Sequence, residues 1–379
     1  MRVAINAIPL VGPLTGIGNY TWHLAREMAG LLPEAPWLFY GRAWSRQLRK
    51  PPVPVGAAAR RKLGLVAPFA HHAARWWQER HFVPGARARG IELYHEPNYL
   101  AYRFDGPMVV TVHDLSWIRH PEMHPPDRVR TMNDLMPSVL RRARYVAVDS
   151  EFVRGEVLSH YGLDPARVVT TLLGVSADFT PRPGAEVERS LASLQLRVGR
   201  YFLTVGTLEP RKNLATVVAA FARLPAAARR EFPLVIAGMS GWGRDRLPRE
   251  LAAMLDAGEA RLPGFVDPAL LPALYSGARL FVYPSLYEGF GLPPLEAMAC
   301  GAAVLASGAA SLPEVVGDAG LLVEPRDDRA FGEAMARALE DTAWRDDLGR
   351  RGLQRARAFT WRRCAEQTLD IYRRAVDAE

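Results

Sequence analysis

The sequence predicts an α/β protein made of two doubly wound, parallel-sheet domains. Three observations carry that expectation. The chain has 379 residues, too many for one small core and enough for two domains of average size. Strand-like and helix-like segments alternate along most of it. The strand-like segments are continuous apolar runs, the pattern of strands covered by helices on both faces.

In chain order the strand candidates are 3–6, 93–95, 109–113, 145–149, 168–172, 201–205, 234–237, 280–284, 303–307 and 320–323. Helical periodicity falls between most of them, at 19–31, 213–223, 268–276 and 328–341. The pattern breaks at 179–198, "FTPRPGAEVERSLASLQLRV", and restarts with a fresh apolar strand at Tyr201. Two domains are therefore expected, at about 1–178 and 199–360, followed by a last helix over 360–376 with apolar Ala365, Leu369, Tyr372 and Val376 on one stripe.

Composition excludes several classes. Two cysteines, Cys300 and Cys364, make no disulfide framework, so a reducing compartment is expected. No stretch of 18 apolar residues is present, and the opening "MRVAINAIPL" reads as a first strand, not a secretion signal. The expected location is cytoplasmic, with peripheral contact at the inner face of the membrane as an option. Net charge is +8, and residues 41–90 hold eleven Lys or Arg against the single acid Glu79. In that segment Val66, Phe69, Ala73, Trp76 and Trp77 form a helical stripe flanked by Arg75 and Arg80. It reads either as a surface that meets anionic lipid or an anionic acceptor, or as a solvated arginine face with its tryptophans packed inward. No nucleic-acid motif accompanies the charge, so nucleic acid is not an expected partner.

Ligands of open α/β sheets bind beyond the carboxyl ends of the strands. After the strand at 201–205 comes "GTLEPRKN", where Gly206 permits a tight turn and Arg211 and Lys212 precede a helix. The chain contains three lysines, at 50, 62 and 212, against 45 arginines, so Lys212 beside Arg211 stands out. A flat bidentate cation beside a compact one suits a diphosphate, although a surface pair at a helix start is the plainer reading. After the strand at 280–284 comes "SLYEGFGLPPLEAMACG". Pro293 and Pro294 fit a helix's first turn, which places the amides of Phe290, Gly291 and Leu292 at a helix N-terminus open to an anion or hydroxyl. Glu296 is expected in that first turn, gripping hydroxyls as acids do on ribose. Glu288, on the loop, suits sugar hydroxyls or developing positive charge.

In the first half, His113 ends a strand in "TVHDL", with Asp114 bracing the local turn. Gly16 and Gly18 lie before a helix expected from about Asn19, so bare amides can approach a ligand. This is not the dinucleotide fingerprint, because its third glycine would fall at Thr21. Neither an Asp-x-Asp motif nor a His/Cys cluster with metal spacing occurs, so no metal and no cofactor are expected.

Together "TGIGNY", "TVHDL", "VDSEF", "TLLGV", "VGTLEPRKN", "LPGFV" and "SLYEGFGLPPLEAMACG" resemble the retaining glycosyltransferases of family 4, over nearly the whole chain. The resemblance implies a GT-B fold of two Rossmann-like domains facing a cleft. The nucleotide-sugar donor would lie on the C-terminal domain, a glycan or lipid-linked acceptor on the N-terminal one, and the segment 361–379 would pack back on the first domain. It implies that Arg211 and Lys212 bind the diphosphate, and that Glu288 and the amides of Phe290, Gly291 and Leu292 reach the sugar and phosphate. It further assigns Glu296 to the ribose, Phe265 and Val266 to the base, His113 to the reacting sugar, and Gly16 and Gly18 to the N-terminal glycine loop. "NAIPLVGPLTGIGNYT" and "TVHDLSWIRHPEMHP" look most like bacterial mannosyltransferases of O-antigen or capsular polysaccharide synthesis, with GDP-mannose or a GDP-6-deoxyhexose as donor. An epimerase would need no acceptor, a nicotinamide oxidoreductase would need the missing glycine fingerprint, and a non-catalytic glycan-binding protein would tolerate loss of Glu288.

Overall fold

The computed structural model describes residues 1–12, 14–49, 68–239 and 248–377, and in the helix Pro68–Ala88 the side chains from Arg75 onward. Val66, Phe69 and Ala73 of the basic segment lie outside the described side chains. The chain divides into two compact units, Met1–Leu173 with Trp361–Glu379, and Gly174–Thr360.

The first unit holds seven described strands: β1 (Val3–Asn6), β2 (Trp37–Phe39), β3 (Trp44–Ser45), β4 (Leu93–Glu96), β5 (Met108–Val112), β6 (Tyr145–Val148) and β7 (Val168–Thr170). They lie in the order β3-β2-β1-β4-β5-β6-β7, parallel throughout except for β3. The inner strands are buried on both faces, which explains their unbroken apolar sequences. The edge strand β3 and its neighbour β2 carry no apolar run long enough to read, being two and three residues. Tertiary packing holds them: Phe39 and Trp44 meet each other and Phe82 at ring separations of 5.0 to 5.3 Å.

The helix Trp361–Asp377 closes this unit. Its stripe buries Trp361, Cys364, Ala365, Leu369 and Tyr372 against the helix Gly16–Leu31 and the central strands. Trp361 stacks on His23 at 4.8 Å, and the Tyr372 hydroxyl sits 2.6 Å from Nδ1 of His95 on β4.

The second unit is a six-stranded, all-parallel sheet: β8 (Phe202–Val205), β9 (Leu234–Ala237), β10 (Ala260–Gly264), β11 (Leu280–Tyr283), β12 (Val304–Ser307) and β13 (Leu321–Val323). Their order is β10-β9-β8-β11-β12-β13, so the winding reverses beside β8, and the loops after β8 and β11 flank that reversal. The backbones leaving β8 and β9 pass so close that a Cβ on Gly238 would lie 1.8 Å from the Gly206 carbonyl oxygen. The strand β10 went unread because its five residues include Arg261 and Pro263.

The division between units falls at Leu173–Gly174, earlier than the break read from the sequence. The segment 179–198 starts with Pro and Gly and then turns helical, and its helix Gly184–Ala192 packs on Leu271–Ser276 within the second unit. Val187 and Leu191 are buried there, which the Pro/Gly-rich start of the segment conceals.

Candidate active site

In the second unit, two loops build one charged cluster. After β8 the chain forms a short 3-10 turn, Pro210–Lys212, and then Asn213 takes a left-handed φ of 55° before the helix Leu214–Ala222. The Asn213 side-chain amide pins the turn, donating to the carbonyls of Pro284 (2.9 Å) and Pro325 (2.6 Å). The loop after β11 is sewn to the same turn, since the Leu286 amide donates to the Arg211 carbonyl and the Ser285 hydroxyl oxygen lies 3.1 Å from it. These contacts set the positions of the charged side chains.

Glu288 accepts from Arg211 Nη1 at 2.7 Å on Oε2 and from Lys212 Nζ at 2.6 Å on Oε1. Oε1 also accepts from the Tyr283 hydroxyl at 2.9 Å and from Ser285 Oγ at 2.5 Å. Glu288 is buried, and burial alone would raise its carboxyl. The Arg211 and Lys212 charges outweigh this and hold it at about 2. Burial in turn lowers Lys212 from its ordinary value, against the pull of Glu288. Arg211 Nη2 also lies 3.5 Å from Glu209, so two cations face two carboxylates. Arg211, Lys212 and Glu288, read from sequence as a cation pair and a separate loop acid, are thus in direct contact. Gly206 lies under the Lys212 stem, its Cβ position 3.5 Å from Lys212 Cε.

Beyond Glu288 the loop is fixed by Ser311 Oγ, which lies 2.9 Å from the Glu288 carbonyl oxygen and 2.8 Å from that of Phe290 and shares its one hydrogen between them. Phe290 is buried, edge-on to Phe359. Gly291 turns the chain with φ +115°, and a Cβ there would sit 2.6 Å from Leu312 Cδ2. The helix Leu292–Ala299 follows, with Pro293 and Pro294 in its first turn. Among the described residues the amides of Phe290, Gly291 and Leu292 donate to no protein acceptor.

Glu296 corrects the sequence reading in one respect. The helix starts at Leu292, so Glu296 is its fifth residue and stands past the first turn, where the end of the helix dipole favours it less. Its Oε2 accepts from the Tyr275 hydroxyl at 3.0 Å. Burial pushes the carboxyl up to about 7, with that hydrogen bond working against the shift. At the end of β10, Val266 is buried while Phe265 remains 36% exposed.

In the first unit, His113 follows β5 and is buried. Its Nδ1 lies 2.7 Å from Asp149 Oδ2, its Nε2 2.7 Å from the Pro97 carbonyl oxygen, and Tyr20 and Tyr99 meet the ring edge-on. Asp114 accepts from the amide and hydroxyl of Ser116 at 3.0 and 2.8 Å, bracing its turn. Beside this pair Glu96 accepts from Asn6, Tyr94 and the Asn98 amide, and burial lifts it to about 7. Gly16 and Gly18 do not form a loop ahead of a helix. They are the first and third residues of Gly16–Leu31, which begins three residues earlier than read. Gly18 is buried with its Cβ position 3.0 Å from Leu14 and 3.3 Å from the Pro9 carbonyl, so it permits close packing, whereas the space around Gly16 is open.

Sequence reasoning missed Tyr283, Ser285, Tyr275 and Asp149. Position would have found two of them. Tyr283 ends β11, and Asp149 follows β6, the neighbour of the strand that presents His113. Among the described residues no three His, Cys, Asp or Glu side chains gather where a metal ion could be held.

The two parallel sheets, with charged loops at the carboxyl ends of their strands, define a GT-B glycosyltransferase fold. Solved structures share it along the whole chain. Sucrose-phosphate synthase from Thermosynechococcus elongatus superimposes with a TM-score of 0.78 at 23% identity, covering 100% of both chains. WaaG, a glycosyltransferase involved in lipopolysaccharide biosynthesis, superimposes with a TM-score of 0.73 at 17% identity, again covering both chains fully. The family model described as Glycosyltransferase Family 4 matches residues 14–179, and that of glycosyl transferases group 1 matches 194–355. The O-antigen chain mannosyltransferase B of Escherichia coli is 38% identical over 98% of this chain and 100% of its own length. The chain belongs to glycosyltransferase family 4.

Proposed function

We propose that the protein transfers a hexosyl group, mannose from GDP-mannose as the first choice, to a hydroxyl of a glycan or lipid-linked glycan during surface polysaccharide synthesis. The full-length 38% identity to an O-antigen chain mannosyltransferase carries the choice of sugar and pathway. The Arg211–Lys212–Glu288 cluster carries the choice of a nucleotide-sugar donor. The cluster is balanced as it stands, so an arriving diphosphate needs further donors. The unpaired amides of Phe290, Gly291 and Leu292 supply them at a helix start, where the dipole favours an anion.

On this reading Arg211, Lys212 and those amides stabilise the leaving diphosphate where charge grows. Glu288, ionised at any working pH and clamped by four donors, orients the sugar and stabilises positive charge. It is neither an acid nor a free nucleophile. That favours same-face attack with retention, in which the leaving phosphate takes the acceptor proton. Glu296 binds the ribose hydroxyls, Phe265 and Val266 meet the base, and His113 meets a substrate oxygen. Gly16 and Gly18, at the start of the helix Gly16–Leu31, serve the acceptor side, and no metal takes part. A GDP-6-deoxyhexose or UDP-sugar donor would use the same cluster.

The test is a panel of nucleotide sugars incubated with purified protein, with and without EDTA, following slow donor hydrolysis and, with an acceptor glycan, the anomeric product. GDP-mannose is expected to turn over fastest, unaffected by EDTA. Loss of turnover in EDTA with recovery on adding a divalent ion refutes the metal-free scheme.

Residues 41–90 are proposed as a peripheral contact with anionic membrane. Trp76 is 59% exposed with Arg80 over its ring at 4.8 Å, and Arg42 covers Trp77 at 4.1 Å. No helix among the described residues is long and apolar enough to cross a membrane.

A further inference from the structure

His113 is clamped from both sides. Its Nε2 lies 2.7 Å from the Pro97 carbonyl oxygen, and a peptide carbonyl only accepts, so Nε2 carries a hydrogen. A neutral ring protonated there would turn the Nδ1 lone pair toward Asp149 Oδ2, 2.7 Å away, a repulsive contact with a carboxylate. A second proton at Nδ1 converts that contact into a charge-assisted hydrogen bond and makes the ring a cation.

The surroundings agree. The titratable groups around the ring are Tyr20 on the helix Gly16–Leu31, His95 on β4, Tyr99 after β4, Asp114 beside it in the chain, Asp149 after β6, and Cys364 on the C-terminal helix, whose thiol feels the Asp149 charge. Burial holds His95 near 3, so it is neutral, and raises Tyr20, Tyr99 and Cys364, so they are neutral too. The carboxyl groups the ring meets are therefore Asp114 and Asp149, the latter raised by its own burial against the pull of His113. Burial opposes charging His113, yet Asp149 and the Pro97 carbonyl prevail and raise it above its ordinary value. The other carboxylate oxygen of Asp149, Oδ1, is buried without a partner among the described residues, so this acid is committed to the histidine.

We propose that Asp149 is a positioning residue that keeps His113 as a doubly protonated hydrogen-bond donor, so that Nε2–H is offered to a substrate oxygen and the ring accepts no proton during transfer. In this structure the Pro97 carbonyl takes that hydrogen bond. A sugar hydroxyl or phosphate oxygen replaces it, whereas a group that must lose a proton to His113 finds no vacant nitrogen. The identity of the substrate oxygen rests on the glycosyl-transfer reading, but the state of the ring does not.

The experiment is nitrogen NMR of the full chain with labelled histidine, using His113→Gln only to assign the signal, beside pH profiles of donor turnover. Both ring nitrogens of His113 are expected to be protonated at pH 7. In Asp149→Asn the Nδ1 proton is expected to leave at a lower pH than in the wild type, because the Asp149 charge that raises the ring is gone. Turnover of that variant should then fall between pH 6 and 8 and recover on acidification. A wild-type ring with one protonated nitrogen at pH 7 overturns the proposal, and that measurement does not depend on the variant folding. A loss in Asp149→Asn that is equal at every pH also overturns it, since a merely structural role predicts that flat profile. Absence of turnover with every nucleotide sugar sinks the transfer reading instead, and the NMR measurement, made without substrate, keeps the two failures apart.

Discussion

Replacing Glu288 by Gln keeps its shape and removes its charge, and the structure sets opposite signs for two consequences. The carboxyl is held at about 2 against an ordinary 4.5. That difference corresponds to roughly 3 kcal/mol of preference for the charged form. Arg211 and Lys212 are themselves largely buried; without Glu288 they keep Glu209, 3.5 Å from Arg211, and the neutral contacts of Arg211 with the Tyr287 carbonyl and of Lys212 with the Tyr283 hydroxyl. Breaking a buried pair from one side costs roughly 3 to 5 kcal/mol. Glu288→Gln should therefore destabilise the second unit by about 3 kcal/mol, roughly 6 to 12 °C in Tm for a unit of this size. A loop acid that served the sugar alone would be expendable to folding, and this one is not.

The same change leaves two cations short of a counterion. Free GDP should then bind tighter, by roughly 1 to 2 kcal/mol or about tenfold in Kd, while sugar transfer is lost. Saturating GDP should close roughly a third to two thirds of the Tm gap between the variant and the wild type, since only the difference in affinity narrows it. Differential scanning calorimetry with and without GDP, titration calorimetry and a transfer assay read all three effects. An unchanged Tm together with weaker GDP binding would refute the counterion argument, and normal transfer would remove Glu288 from the reaction.

Three further outcomes follow from the same geometry. Lys212→Met removes one of the two cations and should weaken GDP binding about tenfold or more, with unchanged affinity in titration calorimetry counting against the phosphate role. Glu296 has a folded value of about 7, above its ordinary 4.5, so its stabilising contribution is present below pH 4.5 and is lost as pH rises through 7. Glu296→Gln should thus be more stable than wild type at pH 8 by on the order of 1 to 3 kcal/mol, little different at pH 4.5, and poorer at binding GDP if the ribose contact is right. Urea denaturation at both pH values checks the first pair, and an equal shift at both would discard the protonation argument. Vesicles rich in anionic lipid should pellet the protein, and Trp76→Ser with Arg80→Ser should release it; equal pelleting with neutral vesicles would refute the electrostatic contact.

The alternation of apolar runs, the cation pair at 211–212, the proline-opened helix after Gly291 and the strand-end histidine were all legible in the sequence. Each depends on interactions close in the chain. A strand covered on both faces must be apolar throughout, Pro fits a helix's first turn through its own fixed φ, and Gly291 supplies a positive φ that other residues resist. The edge strand β3 and its neighbour β2 were not legible, because two or three residues carry no period and their hold comes from Phe82, some forty residues away.

The partnerships inside the site belong to the tertiary structure. Glu288 is 76 residues from Lys212, and only the parallel pairing of β8 with β11 lays the two loops side by side. His113 and Asp149 meet because β5 pairs with β6, each residue following the end of its strand. Sequence spacing placed Glu296 in a first turn, whereas the left-handed cap at Gly291 starts the helix at Leu292 and delivers the carboxyl to Tyr275. Residue type and local backbone preference are written along the chain. Which charges end up within hydrogen-bond reach, and therefore which are ionised, is set by strand order and burial, and both are properties of the assembled sheet.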